Sequence, residues 1–168
     1  CRLWFSLLYF GHDEKKIYIL NGGLKKWIFE NKPITKLTTE IIESNYVANE
    51  KENLVVSFDQ IKKNILSKSF NVIDARSLER FEGKVSEPRK GLRSGHIQNS
   101  FCLPFNQCIN QKTGEFKNLQ ELRELFNQNE NIEKRLNPVF TCGSGVTAAV
   151  LAYAYKMVNN DYIPKIYD

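Results

Sequence analysis

Residues 138–147 read PVFTCGSGVT, an apolar run followed by a loop that contains two glycines. The first four of these residues predict a short buried strand, and apolar residues at helical spacing predict a helix over residues 146–158. A strand that leads through a glycine-rich loop into a helix is typical of α/β domains. We therefore expect an α/β fold in which Cys142 stands at the carboxyl end of a strand.

Further strands are predicted at residues 71–75, 100–103 and 163–168, where short apolar runs are bounded by turn residues. With helices between them, these strands predict a central, mostly parallel sheet covered on both faces, which is a three-layer arrangement. Ligands of such sheets bind beyond the carboxyl ends of the strands. Asp74 and Cys142 would then lie at the same rim.

Two capping boxes predict the starts of further helices. Ser57 is followed three residues later by Gln60, and Asn118 by Glu121. The apolar residues that we expect to face inward are Phe58, Ile61, Ile65 and Leu66 in the first helix, Leu122, Leu125 and Phe126 in the second, and Val146, Ala149, Val150, Tyr153 and Met157 in the helix after Cys142.

The first third of the chain has a different character. The pattern predicts a helix over residues 2–10, a strand over 17–20 and a helix over 23–30, an order that echoes the end of the chain. We therefore predict the tail of a related, incomplete first domain over residues 1–32, a polar linker over 33–53, and a second domain over 54–168 that is truncated at its end. The apolar side chains of the first helix are expected to be exposed, because most of the domain that would cover them is missing.

Composition excludes several classes of function. The net charge of +5 is spread over alternating Lys and Glu segments, which does not favour a nucleic-acid partner, and the chain has no uncharged apolar run of about 18 residues that could cross a membrane. The four cysteines and two histidines match no zinc pattern, so we expect no metal and no cofactor. Unpaired cysteines favour a reducing compartment, and we interpret Cys102 and Cys108 as structural.

The loop over residues 142–147 can place several backbone N–H groups around one point, in front of the positive end of the next helix. This field lowers the pKa of a cysteine and makes its thiolate available as a nucleophile. The alternative is a buried, unreactive Cys142 at a strand end. Tyrosine-type phosphatases and arsenate reductases use a similar loop, but phosphatases need an arginine six residues after the cysteine, where this chain has Ala148.

A cationic segment lies between the first two predicted strands of the main domain. It contains three glutamates and the six cations Arg76, Arg80, Lys84, Arg89, Lys90 and Arg93. A loop that presents these cations predicts a small anion as ligand, although solvated loop charges are the alternative. Within the segment we expect His96 to orient a neighbour by a hydrogen bond, and Asp74 to anchor backbone or an arginine.

These motifs together resemble the rhodanese family, and within it they are most similar to the two-domain mercaptopyruvate sulfurtransferases. The resemblance rests on the Cys-Gly-Ser-Gly-Val-Thr loop, on Asp74-Ala-Arg76, on Glu87-Pro-Arg89 and on Gly95-His-Ile97, and it runs from about Val55 to Asp168. It continues more weakly into the first block through Arg2-Leu-Trp-Phe5, Phe10-Gly-His12 and Leu20-Asn-Gly-Gly23. The family implies a rhodanese-like catalytic domain preceded by part of a second one.

The resemblance also implies a two-step transfer of sulfur. Cys142 would take a sulfur atom from mercaptopyruvate as a persulfide and pass it to thiol or cyanide acceptors, with thioredoxin as one candidate, while Ser144 assists proton transfer. The residues implied in substrate binding are Arg80, Arg89, Gly143, Gly145, Val146 and Thr147. An α-keto carboxylate suits arginine, which can donate two parallel N–H bonds to it. A cytoplasmic or mitochondrial location is expected.

Two alternatives stay open within the family. Relatives that use thiosulfate resemble Cys-Arg-Lys-Gly-Val-Thr, whereas this loop is neutral at Gly143 and Ser144, which favours mercaptopyruvate over a dianion. Thiosulfate sulfurtransfer is therefore the second hypothesis. The third is a rhodanese-like binding or regulatory module whose activity has lapsed, and it is weakened because the chain retains Cys142.

Overall fold

The computed structural model describes residues 1–128 and 136–168. Within them lies a four-stranded sheet of order β2-β1-β3-β4, in which every pair of neighbouring strands is parallel. The strands are β1 (Asn71–Asp74), β2 (Ser100–Cys102), β3 (Pro138–Thr141) and β4 (Ile166–Tyr167). The predicted parallel α/β sheet is confirmed, although β1, β2 and β4 are shorter than the apolar runs suggested.

The helices in the described residues are α1 (Arg2–Tyr9), α2 (Gly23–Phe29), α3 (Phe58–Ser67), α4 (Leu78–Phe81), α5 (Leu119–Asn127) and α6 (Val146–Val158). Both predicted capping boxes form. The Ser57 hydroxyl accepts from the Gln60 N–H at 3.3 Å, and the Asn118 side chain accepts from the Glu121 N–H at 2.9 Å. Each reciprocal bond satisfies backbone donors at a helix start, so the sequence signature gave the correct boundary.

Helices cover both faces of the sheet. On one face, Ile61 of α3 packs with Val72 and Val139 in a small cluster. On the other face, Ile73 and Phe140 join a larger cluster with α5 and α6. The alternation of neighbouring strand residues between the two clusters is the period of two expected for a sheet, and it confirms the three-layer arrangement.

The inward faces of two helices were predicted only in part. In α3, Phe58 and Leu66 are exposed, whereas Asn64 is buried and its side chain bonds the backbone of Phe70 in both directions, at 2.9 and 3.0 Å. A polar residue can thus occupy a core-facing position when its hydrogen bonds are satisfied.

In α6, the prediction of inward-facing Val146 is wrong, since this residue is half exposed in the first turn. The prediction is correct for Ala149, and four further residues that it did not include are fully buried, namely Ala148, Leu151, Ala152 and Ala154. Alanine lets a helix approach a sheet closely on more than one side, so the buried surface is wider than the predicted stripe.

Helix α1 packs on the main domain. Trp4, Phe5 and Leu8 are buried in the large cluster, and the rings of Trp4 and Tyr153 meet edge to face at 5.0 Å. The expectation that this helix would be exposed is therefore wrong for its inward face, although Leu3 stays exposed. Burial against α6 offers these side chains the apolar surroundings that the prediction assigned to a missing domain.

The predicted strand over residues 17–20 is not formed. Ile17 and Ile19 pack partly against the core while Tyr18 and Leu20 point outward, so the segment has the alternation of a strand but pairs with no strand in the described part of the chain. Residues 33–51 contain neither helix nor strand. Among the described residues no helix is long and apolar enough to cross a membrane.

Candidate active site

Cys142 follows β3 directly, and its loop ends where α6 begins. Because Asp74 and Thr141 are paired in register, the end of β1 lies beside the residue that precedes Cys142. The predicted convergence of Asp74 and Cys142 at one rim of the sheet is therefore confirmed.

Glycine is needed at position 145, where the loop meets α6. Gly145 caps α6 with a φ of +63°, a conformation that favours glycine. The guanidinium of Arg2 and the carboxylate of Asp168, which form an ion pair at 2.7 Å, fill the space that a side chain at this position would take. Helix α1 and the end of β4 thus both contact the loop that carries Cys142.

The sulfur of Cys142 is surrounded by hydrogen-bond donors. The Ser144 N–H donates to it at 3.4 Å, and the Thr147 hydroxyl and the N–H groups of Thr147 and Ala148 lie near enough to favour the thiolate. Partial burial opposes the thiolate, but these donors outweigh burial and lower the pKa of Cys142 below its ordinary value. The arrangement holds a sulfur anion in front of a helix N-terminus.

Two other cysteines provide a contrast. Burial raises the pKa of the Cys102 thiol to about 11 and that of the Cys108 thiol to about 12. Both therefore stay protonated near neutral pH, as expected for structural thiols. Of these three cysteines, only Cys142 has the thiolate favoured by its surroundings.

A network of buried charges lies beside the loop. Arg76 donates to Asp74 at 2.6 Å and to Glu87 at 2.9 Å, and it also bonds the Gly95 carbonyl at 2.7 Å. Arg80 donates to the same Glu87 through Nε and Nη2. Hydrogen bonds from Arg80 first, and then the charges of both arginines, lower the pKa of Glu87 despite its burial. Asp74 is thus placed as the predicted arginine anchor.

Arg80 also lies against the loop. Its Nη2 is 3.1 Å from the point where a Cβ on Gly143 would stand, so the absence of a side chain there leaves room for the guanidinium. Arg89, in contrast, is exposed and forms no hydrogen bond or ion pair with any described residue. The structure brings Arg80 to Gly143, next to Cys142, and leaves Arg89 at the surface.

A cavity of about 640 Å³ opens in front of Cys142 and Gly143. Arg76 and Glu87 line it from the charged network, and Lys62 and Arg93 line it without an ion pair to any described residue. Sequence reasoning missed the place of Glu87 and Arg93. Glu87 entered the sequence analysis only as one of three negative charges in the cationic segment. Its spacing along the chain does not show which arginines it pairs with.

Three further predicted residues, His96, Ser144 and Val146, lie in different surroundings. The Nδ1 of His96 lies 2.7 Å from the Phe81 carbonyl and its ring stacks on Phe81, the orienting position that was expected. Ser144 contributes its N–H to the sulfur, whereas its hydroxyl bonds no described residue. Val146 is half exposed at the start of α6. The described residues contain no group of three or more side chains suited to hold a metal ion.

Comparison with known proteins agrees with this geometry. A model of the rhodanese-like domain matches residues 57–167. The chain is 33% identical to human 3-mercaptopyruvate sulfurtransferase over 99% of its own length and 54% of the relative, and 34% identical to chicken thiosulfate sulfurtransferase over 91% and 51%. It therefore spans about half the length of the curated relatives it matches.

Among solved structures, the chain is similar to SseA from Escherichia coli, described as a 3-mercaptopyruvate sulfotransferase. The TM-score is 0.83 at 29% identity, and the match covers 99% of this chain and 60% of that one.

Proposed function

The chain belongs to the rhodanese family, and on that basis we propose that Cys142 takes a sulfur atom from 3-mercaptopyruvate and passes it to a thiol or cyanide acceptor. The observation that carries the proposal is the ring of donors around the Cys142 sulfur, which lowers its pKa. A thiolate that is stable at neutral pH is what the first step requires.

In the first step the Cys142 thiolate attacks the sulfur of mercaptopyruvate. A new S–S bond forms, the C–S bond breaks, and its electron pair stays on carbon as the enolate of pyruvate, which then takes a proton. The Ser144 hydroxyl, free of other described partners, is the group proposed to assist that proton transfer. The product is a persulfide on Cys142, with no net change in electrons.

In the second step the acceptor attacks the outer sulfur and Cys142 leaves as a thiolate. The same donors that lower the pKa of the cysteine stabilise this leaving group, and they also suit a persulfide anion, because the N–H groups point into the loop. Gly143, Gly145, Val146 and Thr147 are proposed to shape this cradle, with Thr147 contributing its hydroxyl.

Mercaptopyruvate is favoured as the donor by the charge of the loop. Gly143 and Ser144 add no cation beside the sulfur, so a monoanion is recognised better there than a dianion. Arg80, which lies against the loop, is proposed to bind the carboxylate directly, and Arg89, which lies at the surface, is proposed to make the weaker contribution to that binding. Thiosulfate is the second candidate, since Lys62 and Arg93 line the cavity without an ion pair to any residue that the structure describes, and a thiosulfate sulfurtransferase is 34% identical.

We also propose that residues 1–32 are the tail of a first rhodanese-like domain, that 33–53 form a linker and that 54–168 form the catalytic domain. The alignment with human 3-mercaptopyruvate sulfurtransferase supports this division, since it covers 99% of the chain while the domain model begins at residue 57. A mitochondrial location is proposed beside a cytoplasmic one, because a relative from Arabidopsis thaliana that is 33% identical is named as mitochondrial.

The test is a comparison of donors on the full-length protein. Pyruvate release from mercaptopyruvate, thiocyanate formation from thiosulfate with cyanide, and hydrolysis of an aryl phosphate are measured under the same conditions. We expect the highest kcat/KM with mercaptopyruvate and no hydrolysis of the phosphate ester. A preference for thiosulfate would favour the second candidate, and turnover of neither sulfur donor would favour a binding module.

A further inference from the structure

The loop around Cys142 has no charged residue, yet a cation lies directly against it. The Nη2 of Arg80 is 3.1 Å from the position of a Cβ on Gly143, so the guanidinium comes from another segment to the place that a side chain at residue 143 would occupy. Arg80, together with whatever neutralises it, therefore contributes to the charge that a sulfur donor meets beside Gly143.

Glu87 is the group that neutralises it. Its side chain is only 3% exposed and accepts hydrogen bonds from both Arg80 and Arg76, while Arg76 is also paired with Asp74. Two guanidinium groups and two carboxylates thus balance to a net charge of zero beside the loop. Low exposure makes the balance effective, because solvent screens these charges less than it screens surface pairs.

Glu87 also determines which part of Arg80 is left for a ligand. Arg80 donates to Glu87 through Nε and Nη2, whereas its Nη1 bonds no described residue. Glu87 occupies the Nε–Nη2 edge, which is one of the two edges through which a guanidinium can bind an anion with two parallel bonds. A sulfur donor that binds Arg80 must therefore use the edge that includes Nη1. That edge lies next to the Glu87 carboxylate, which repels a second negative charge.

We propose that Glu87 is a specificity-determining residue, which cancels the charge of Arg80 beside Cys142 and so favours monoanionic over dianionic sulfur donors. This inference rests on the proposed sulfur transfer, and it names the residue that selects the donor. A carboxylate beside the site costs a dianion about twice the repulsion that it costs a monoanion.

The test replaces Glu87 by Gln, which keeps the shape of the side chain and an oxygen acceptor but removes the charge. The measured quantity is the ratio of kcat/KM for thiosulfate to kcat/KM for mercaptopyruvate, on the full-length protein. We expect Glu87→Gln to raise this ratio about tenfold at low ionic strength, with a smaller rise at high salt.

Glu82→Gln is the matched control. Glu82 lies in the same segment and is paired with Lys84 at 2.7 Å, but that pair is exposed and does not contact the loop. The substitution changes the formal charge by the same amount, and we expect it to move the ratio by less than twofold, because solvent screens the pair.

Two outcomes would overturn the inference: an unchanged ratio in folded Glu87→Gln, or an equal change in Glu82→Gln. If Glu87→Gln does not fold, Ser94→Asp adds a carboxylate to the exposed wall of the same cavity and should lower the ratio severalfold. An unmoved ratio there would then overturn the inference. Wild-type protein that uses neither donor would instead defeat the proposed function, and the inference with it.

Discussion

Two regions meet beside Cys142, and they are built in opposite ways. The loop over residues 142–147 carries no charge and presents backbone N–H groups and one hydroxyl. The segment over residues 76–96 presents side-chain charges, of which Arg76, Arg80 and Glu87 are locked in one network. In the proposed transfer, the loop would stabilise the reacting sulfur, while the segment would contribute the charge that a sulfur donor meets on its way to it.

Under the proposed function, this difference separates the part of the site that would perform the chemistry from the part that would select the substrate. The hydrogen-bond donors of the loop act on Cys142 whichever sulfur compound is bound, since they contact the sulfur of the protein itself. Charges in the segment act on the incoming anion, whose number of charges differs between candidate donors. Changes in the loop should therefore lower turnover of all donors, and changes in the segment should alter their ratio.

Cys142→Ser removes the reacting atom and should have the largest effect. We expect sulfur transfer to fall to background, a loss of at least about a thousandfold, with the melting temperature nearly unchanged. A hydroxyl is close in size to the thiol but forms no persulfide. Cys102→Ser is the control and should keep most of the activity, because the raised pKa of Cys102 excludes it as a nucleophile at neutral pH.

Gly145→Ala breaks the shape of the loop. Its φ of +63° disfavours a side chain, and a Cβ would press on Arg2 and the Asp168 carboxylate. We expect unfolding free energy to fall by about 2–4 kcal/mol, from backbone strain and the close contact together. Denaturant unfolding measures it.

Gly23→Ala is the matched control for that variant. Gly23 has a nearly equal φ of +61°, but nothing lies within 4 Å of its Cβ position. Only the strain remains, so about 1 kcal/mol is expected. Equal losses in the two variants would mean that the ion pair of Arg2 and Asp168 does not restrict the loop.

Thr147→Val removes one donor from the sulfur and keeps the size of the side chain. Since the Thr147 hydroxyl lowers the pKa of Cys142, its loss should raise that pKa and move the thiolate to higher pH. Alkylation of Cys142 followed against pH should show a midpoint displaced upward, with a three- to tenfold slower reaction near neutral pH. An unshifted midpoint would remove the hydroxyl from the account of the thiolate.

Two arginine replacements test the charged segment, and the smallest effect is expected for Arg89→Lys. Arg80→Lys keeps the charge but loses the planar edge beside Gly143, and we expect kcat/KM for mercaptopyruvate to fall about tenfold. Arg89→Lys should cost threefold or less, because Arg89 is exposed and unpaired among the described residues. The reverse order would show that Arg89 moves into the site when substrate binds.

The sequence predicted the loop better than the charged segment, for a physical reason. The strand, glycine loop and helix around Cys142 depend on residues a few positions apart, and the capping boxes at Ser57 and Asn118 are equally local. The pairing of Glu87 with two arginines depends on how a long connection folds back, and spacing does not encode it. The count of charges therefore predicted an anion-binding loop, but it did not show that Glu87 neutralises part of the positive charge.

Burial was predicted least well where one segment packs on another. Trp4 and Phe5 fill the core beside Tyr153, a contact between residues almost 150 positions apart. Residues 17–20 have the alternating pattern of a strand, and the pattern cannot show whether a partner strand lies beside them. Local periodicity reports which face is apolar, and only the fold decides what covers it.

The most direct test of the central claim is the mass of the protein after contact with mercaptopyruvate in the absence of an acceptor. We predict a gain of one sulfur atom, located by peptide mapping on Cys142, retained in Cys102→Ser and absent in Cys142→Ser. Addition of cyanide or a thiol should return the mass to its starting value. Unchanged mass, or a sulfur atom located on another cysteine, would contradict the account.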